Sequence, residues 1–181
     1  MVELYGGVGT IGLNLIDLAA SLDCSDENPY NIACFNKAKH TLSSLQQSTL
    51  NYRTSGAAEV ARKGYLNRIF RQFNNIENNV GKTGGPPDIV IVDPPRKGLD
   101  EEVLEALLTS PAPRRLIYVS CGFKAFKRDA AILLGKRIND VIIPQKFVHS
   151  REVTWNLIHA EGHVLFPGAN HLETLAIFDS V

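Results

Sequence analysis

Four short stretches hold the residues whose types and spacing could do chemistry. In "RLIYVSCGFKAFKRD", Arg115 to Asp129, an apolar run leads to Ser120, Cys121 and Gly122. Such a run reads as a strand ending in a thiol. A thiolate there could attack an electrophilic carbon, most readily beside a cation or a helix N-terminus. The plainer alternative is a small buried spacer, the usual state of a lone cysteine. In "DIVIVDPPRKGL" a continuous apolar strand stops at Asp93-Pro94-Pro95, because proline cannot continue a ladder. Ligands of open α/β sheets bind at such carboxyl ends, which makes Asp93 and Arg96 candidates. Asp93 could equally cap the following turn.

The third stretch is "ELYGGVGTIG", where Gly7, Gly9 and Gly12 fit GxGxxG. Glycines there permit a tight turn and close approach of a ligand to the backbone. "CSDEN" follows near the end of the next strand, and a carboxylate there can accept hydrogen bonds from both ribose hydroxyls of a nucleoside cofactor. Asp26 and Glu27 compete for that role. The alternative is a glycine turn followed by an acidic helix entry. The fourth is "FPGANHLETLAIF", in which Glu173 interrupts an apolar strand. Buried, it could accept a proton; on an edge strand it would face water. His171, two residues away, shares its face.

The elements that must position these residues alternate strand and helix, which predicts a parallel α/β sheet. Strands are expected at Val2 to Tyr5, Leu22 to Ser25, Thr49 to Tyr52, the apolar run ending at Asp93, and Leu116 to Ser120. Two more fall at Trp155 to Leu165, with a break at Glu161-Gly162, and at Leu172 to Phe178. These last two have no helix between them, so the sheet should be mixed, with one antiparallel strand. Helices are expected from the glycine turn to about Ser21, after Pro29, over Glu101 to Leu108, and over Phe123 to Leu134. Leu66, Ile69, Phe70 and Phe73 fall on one further helical face. Arg62, Lys63, Arg68 and Arg71 lie around it and read as a solvated basic face. Residues 135 to 153 carry no clear periodicity.

The chain has 181 residues, with 19 Lys plus Arg against 19 Asp plus Glu. Zero net charge gives no global pull toward nucleic acid or membrane, so a nucleic-acid substrate would need a local patch or another domain. Cys24, Cys34 and Cys121 show no CxxC spacing, which argues against a disulfide scaffold and against a metal site. A reducing intracellular compartment is expected, either cytoplasm or an organelle. No apolar run reaches membrane-spanning length. The first strand starts almost at Met1, which suggests one domain, residues 1–181, truncated at its N-terminus.

In this order the four stretches resemble the S-adenosylmethionine-dependent RNA uracil-5-methyltransferases. "ELYGGVGTIG" contains that family's acidic-Leu-Tyr-x-Gly-x-Gly turn. Glu27 with Ala33 and Asn36 is similar to its acid and following helix. Asp93 to Leu99 matches its DPPR-x-G-L loop, and Tyr118 to Cys121 its Tyr-Val-Ser-Cys, with Arg128-Asp129 downstream. Phe166-Pro167 and His171 to Thr174 match its final Phe-Pro and His-x-Glu-Thr. Gly122, Phe123 and Gly168 resemble a plant and algal branch. The resemblance implies a class I methyltransferase Rossmann-like sheet and S-adenosylmethionine as cofactor, with Tyr5, Gly7, Gly9, Glu27 and Asp93 around it. It further implies Cys121 as the nucleophile at C6 of uracil and Glu173 as acceptor of the C5 proton. The substrate would be a tRNA or rRNA, held with the help of an N-terminal RNA-binding region absent from these 181 residues. Departures are Gly122-Phe123 for Asn-Pro, Val164 for an acid, and Ala57, with Glu59 nearby, for an acid near the adenine. Rival readings are a non-catalytic cofactor-binding fragment, methylation of another base position, and an NAD-dependent oxidoreductase resting on the glycines alone. Arg96, not an aromatic, follows the DPP, which disfavours methylation of an exocyclic amine.

Overall fold

The strands most continuous in apolar residues take the middle of the sheet. In β4, Ile89–Val92, the side chains of Val90, Ile91 and Val92 are wholly buried. A strand covered on both faces needs no polar alternation. The computed structural model describes residues 1–66, 86–139, 141–149, 151–165, 167–168 and 172–181. β4 pairs in parallel with β1, Val2–Leu4, on one side and β5, Arg115–Ser120, on the other. β2, Leu22–Asp26, and β3, Leu50–Thr54, extend the β1 side in parallel. β6, Trp155–His163, and β7, Glu173–Ser180, complete the order β3-β2-β1-β4-β5-β7-β6. β7 inserts between β5 and β6 and runs antiparallel to both. The mixed sheet expected from the hairpin tail is therefore present, and this is the class I methyltransferase fold.

Helices fill the connections. α1 spans Thr10–Asn14, α2 Asn31–Lys39, α3 Ser44–Ser48 and α4 Ala57–Arg62. α5 spans Glu101–Leu108, α6 Phe123–Leu134 and α7 Gln145–His149. The bounds of α5 and α6 match the sequence reading. α6 stops where Gly135 turns left-handed at φ 62°, and Arg151 donates to the carbonyls of Ile132 and Leu133 in the last turn. The first helix is shorter than expected. It ends at Asn14 and a 3-10 turn, Ile16–Leu18, replaces its second half. Ile16 must be buried there, and Ala19 is already extended toward β2. α3 was unexpected; a capping box between Ser43 and Gln46 sets it.

The larger core lies between the sheet and helices α4 to α6, with Leu4, Val92, Leu104, Leu107, Leu116, Tyr118, Trp155 and Phe178 at its centre. Trp155 Nε1 donates to Leu107 O at 2.9 Å, which ties the start of β6 to α5. A smaller cluster of Ile16, Leu22, Cys24, Phe35 and Leu50 holds the glycine-turn side. Of the basic helical face, Arg62 lies 3.9 Å from Glu102 and Lys63 2.5 Å from Glu59, as a solvated face would. Arg68 and Arg71, with Ile69, Phe70 and Phe73, lie outside the described residues.

Candidate active site

The carboxyl ends of β1, β2, β4 and β5 converge on a cleft of about 450 Å³. Tyr5, Asp26, Glu27, Asp93, Asp100 and Cys121 are among its walls. Open α/β sheets leave such a crevice because their connections depart from these ends.

The glycine turn follows Tyr5, the wall residue at the end of β1. Gly7 and Gly9 adopt φ of 54° and 80°, a region L side chains rarely enter. At Gly9 a β-carbon would also lie 2.6 Å from the Phe35 ring. The turn is held from both sides: Gly7 N donates to Asp26 Oδ2 at 3.0 Å, and Tyr52 Oη donates to Gly7 O at 2.7 Å. Beneath it Glu3 is only 1% exposed and accepts from Gly12 N at 3.2 Å. Burial pushes the Glu3 carboxyl up to about 7, against the opposing hydrogen bond from Gly12.

Asp26 and Glu27 divide their roles. Asp26 uses Oδ2 on Gly7 N, and its Oδ1 accepts from Asn28 N at 2.9 Å and Asn31 Nδ2 at 3.0 Å. It is a buttress of the turn. Glu27 is exposed in the cleft and forms no hydrogen bond or ion pair among the described residues. A β-carbon on Gly56, across from it, would stand 3.6 Å from Glu27 Oε2. Glu27 is therefore the carboxylate with both oxygens open to a ligand.

Tyr5 leaves β1 at φ 56°, and its ring borders the cleft. Its hydroxyl donates to Asp100 Oδ2 and accepts from Asp100 N, both at 3.0 Å. Asp100 Oδ1 accepts from Lys97 Nζ at 2.7 Å. These bonds clamp the end of the DPPRKGL loop to the end of β1. A second clamp comes from Asp129, which is fully buried. Its Oδ2 accepts from Leu99 N at 2.8 Å and Tyr118 Oη at 2.7 Å, and its Oδ1 from Arg128 Nη2 at 2.6 Å. Burial still raises its carboxyl above the usual range, against these donors. In the sequence Asp129 stood only as half of a downstream Arg-Asp pair. Its signal was an acid on the apolar face of an amphipathic helix, which must find donors to be buried.

Cys121 is half-buried at the tip of β5, facing the cleft with Asp93. Gly122 follows because the loop backbone leaves no room: a β-carbon there would lie 2.7 Å from Arg96 O. Glu173 opens β7. In the β5–β7 ladder Ser120 pairs with Thr174, so Cys121 and Glu173 occupy the next opposed positions. Glu173 does not line the same cleft. It lines an apolar groove of about 590 Å³ on the open sheet face, with Ile11, Leu15, Val119 and Leu175. It is near enough to act on Asp93, whose carboxyl is raised first by loss of water and then by the Glu173 charge. Of the sequence-derived residues, Tyr5, Glu27, Asp93 and Cys121 line one cleft; Gly7 and Gly9 lie in the turn after Tyr5 and are not among its lining residues, and Glu173 lines the neighbouring groove. Phe166 and His171 lie outside the described residues. Among the described residues no group of three or more His, Cys, Asp or Glu could hold a metal ion, and no helix is long and apolar enough to cross a membrane.

No family model matches the chain. It is 34% identical over 179 residues to an uncharacterized RNA methyltransferase of Protochlamydia amoebophila, covering 99% of this chain and 37% of that protein. It is 33% identical over 129 residues to an uncharacterized RNA methyltransferase of Enterococcus faecalis, covering 71% of this chain and 24% of that protein. The chain thus spans well under half the length of these relatives. Among solved structures it resembles the Pyrococcus abyssi tRNA (uracil-54, C5)-methyltransferase in complex with S-adenosyl-L-homocysteine. That match has a TM-score of 0.62 and 21% identity over 98% of this chain and 33% of that one. The Escherichia coli protein yhhF, suggested to be a methyltransferase, matches with a TM-score of 0.56 and 17% identity over 98% of this chain and 75% of that one.

Proposed function

We propose that this chain is the cofactor-binding and catalytic domain of an S-adenosylmethionine-dependent RNA methyltransferase acting on C5 of uridine. The observation that carries this reading is the meeting of Cys121 with Tyr5, Glu27 and Asp93 in one cleft, with Glu173 opposite Cys121 at the ladder end. RNA as the substrate class is supported by the relatives from Protochlamydia and Enterococcus.

The cleft suits the cofactor. Asp26, Glu27, Asp93 and Asp100 face a single cation, Lys97, in its walls, which favours a ligand with a sulfonium and an ammonium group. Glu27 is placed to accept both ribose hydroxyls. Bound there, S-adenosylmethionine supplies an electrophilic methyl group.

The protein's own residues supply the rest. C5 of uracil is a poor nucleophile. The Cys121 thiolate adds to C6, forming an S–C6 bond and moving an electron pair onto the C4 oxygen as an enolate, which makes C5 nucleophilic. Once C5 carries the methyl group, the Glu173 carboxylate takes the C5 proton. The electron pair of that C–H bond re-forms the C5–C6 double bond, the S–C6 bond breaks, and Cys121 leaves as thiolate.

The test is a trap. RNA carrying 5-fluorouridine cannot lose fluorine as a cation, so the methylated adduct should persist and migrate as a covalent complex on a denaturing gel. Cys121→Ser should abolish it. A complex that survives in Cys121→Ser would remove Cys121 as the nucleophile.

A further inference from the structure

We infer that Thr174 is a positioning residue for Cys121. Its hydroxyl acts through that of Ser120 and ties the turn of the proposed nucleophile to the strand of the proposed base. The inference deepens the proposed uridine chemistry and rests on it. It starts from a buried group without a partner. Thr174 is 4% exposed, and its Oγ1, sealed from solvent, makes no hydrogen bond among the described residues. Buried hydroxyls are generally paired, so an orphan calls for a reason.

The place of the orphan supplies one. Thr174 pairs with Ser120 in the β5–β7 ladder, and Ser120 is 3% exposed. Directly opposed residues of antiparallel strands share a face, with β-carbons about 4.5–5.5 Å apart, a spacing that Thr–Ser hydrogen bonds bridge. Here that face is the buried one. Ser120 continues the row of Leu116 and Tyr118, and Thr174 the row of Ala176 and Phe178. Along the chain, Ser120 precedes Cys121 and Thr174 follows Glu173. The two hydroxyls thus adjoin the two reacting side chains.

Ser120 has a proton left to give. Its Oγ accepts from Gly122 N at 3.1 Å, which closes a turn around Cys121. Among the described residues its own O–H has no acceptor. A donor without an acceptor therefore faces an acceptor without a donor. Rotation of one side chain between staggered positions joins them. Ser120 can donate to Thr174 while it still accepts from Gly122 N, because a hydroxyl has one donor and two acceptor sites. The joined pair fixes Ser120, Ser120 fixes the Gly122 amide, and the turn so held keeps Cys121 in one orientation toward the cleft. The pair is open in the resting structure and closes as Cys121 attacks, so its bond favours the reacting state over the resting one. An inert filler at position 174 predicts otherwise, since valine has the same shape without the orphan oxygen.

The experiment times adduct formation by this chain with 5-fluorouridine RNA and S-adenosylmethionine, both saturating. Thr174→Val should slow it ~10-fold, as loss of one hydrogen bond made in the transition state does. The RNA concentration giving half the maximal rate should not move. The midpoint of urea unfolding should match or exceed wild type, because an unpaired buried hydroxyl is gone. Thr174→Ser, which keeps the hydroxyl, should stay within about twofold of the wild-type rate. Ser120→Ala loses the Gly122 bond as well and should be slower than Thr174→Val. Adding Thr174→Val to it should change nothing further, since the Thr174 hydroxyl acts only through Ser120. A wild-type rate in Thr174→Val, a further loss in the double variant, or an unfolding midpoint below wild type would each overturn the inference. Alkylation of Cys121 by iodoacetamide needs no uridine and is read by peptide mass spectrometry, with the exposed Cys34 as internal standard. The same variants should slow it in the same order. A wild type that forms no adduct removes the uridine chemistry, and the hydroxyl pair then stands or falls on that order alone. An adduct whose rate ignores Thr174→Val removes the hydroxyl pair alone.

Discussion

Cys121 and Glu173 stand opposite each other one residue beyond Ser120 and Thr174, the last registered pair of the β5–β7 ladder. They do not share a pocket: β5 ends at Ser120, Cys121 lines the cleft, and Glu173 lines the groove beside it. Two residues far apart in sequence are thus brought to one end of the sheet by pairing alone. If Glu173 takes the C5 proton, Glu173→Gln should allow addition and methylation but block release. Turnover on uridine RNA should fall by ~10²–10⁴-fold, the usual share of a general base. A covalent, already methylated complex should accumulate with unmodified RNA. Loss of turnover without that complex would assign Glu173 to an earlier step.

Glu27 is the second target. Its oxygens are open and exposed, so removing them should cost the fold little. A charge-assisted hydrogen bond contributes about 1.5–3 kcal/mol. Glu27→Ala should weaken S-adenosylhomocysteine binding ~10–100-fold by calorimetry, with the melting temperature unchanged. Asp26→Ala should behave differently, because it frees Gly7 N and the Asn31 amide and so loosens the turn. Equal behaviour of the two variants would contradict the division of roles.

Asp129 gives a stability prediction. Its removal leaves the Leu99 N–H, the buried Tyr118 hydroxyl and Arg128 without their acceptor. Asp129→Ala should lower unfolding free energy in urea by about 3 kcal/mol. Tyr118→Phe, which removes one donor and leaves the others paired, should cost about 1 kcal/mol. A cost below about 1 kcal/mol for Asp129→Ala would mean that the loop is held elsewhere.

Much of this site was legible because its signals are local. The β4 apolar run, the prolines after Asp93 and the thiol after β5 each mark a strand end within a few residues. α5 and α6 were legible in full because their apolar faces repeat over two turns or more. α7 is only five residues, too short for a period to show. The residues alone left Asp26 and Glu27 open, and only the family resemblance pointed to Glu27, since adjacent acids differ only in where the backbone aims them at the end of β2. The insertion of β7 between β5 and β6 was also hidden: a hairpin fixes that two strands pair, not which of them meets β5. For the same reason the separation of Glu173 from the Cys121 cleft appeared only in the structure.

The last prediction concerns Glu3, an acid buried beneath the glycine turn. Its carboxyl is raised from 4.5 to about 7, with burial as the largest cause. A raised carboxyl means that the folded state prefers the protonated form. Its stabilising contribution is therefore full below about pH 4.5, is lost as pH rises toward 7, and stays lost above that. At about 1.4 kcal/mol per pH unit, the loss is on the order of 3 kcal/mol. Glu3→Gln keeps an acceptor for Gly12 N but cannot ionise. Its stability relative to wild type should thus climb by about 3 kcal/mol between pH 4.5 and pH 8, followed by urea unfolding at each pH. Asp23, Asp93 and Asp129 are raised too, but they are present in both proteins and largely cancel in the difference. A difference that stays flat across this window would show that Glu3 is ionised and paired in the folded protein. The glycine turn would then rest on a charge rather than on a buried neutral acid.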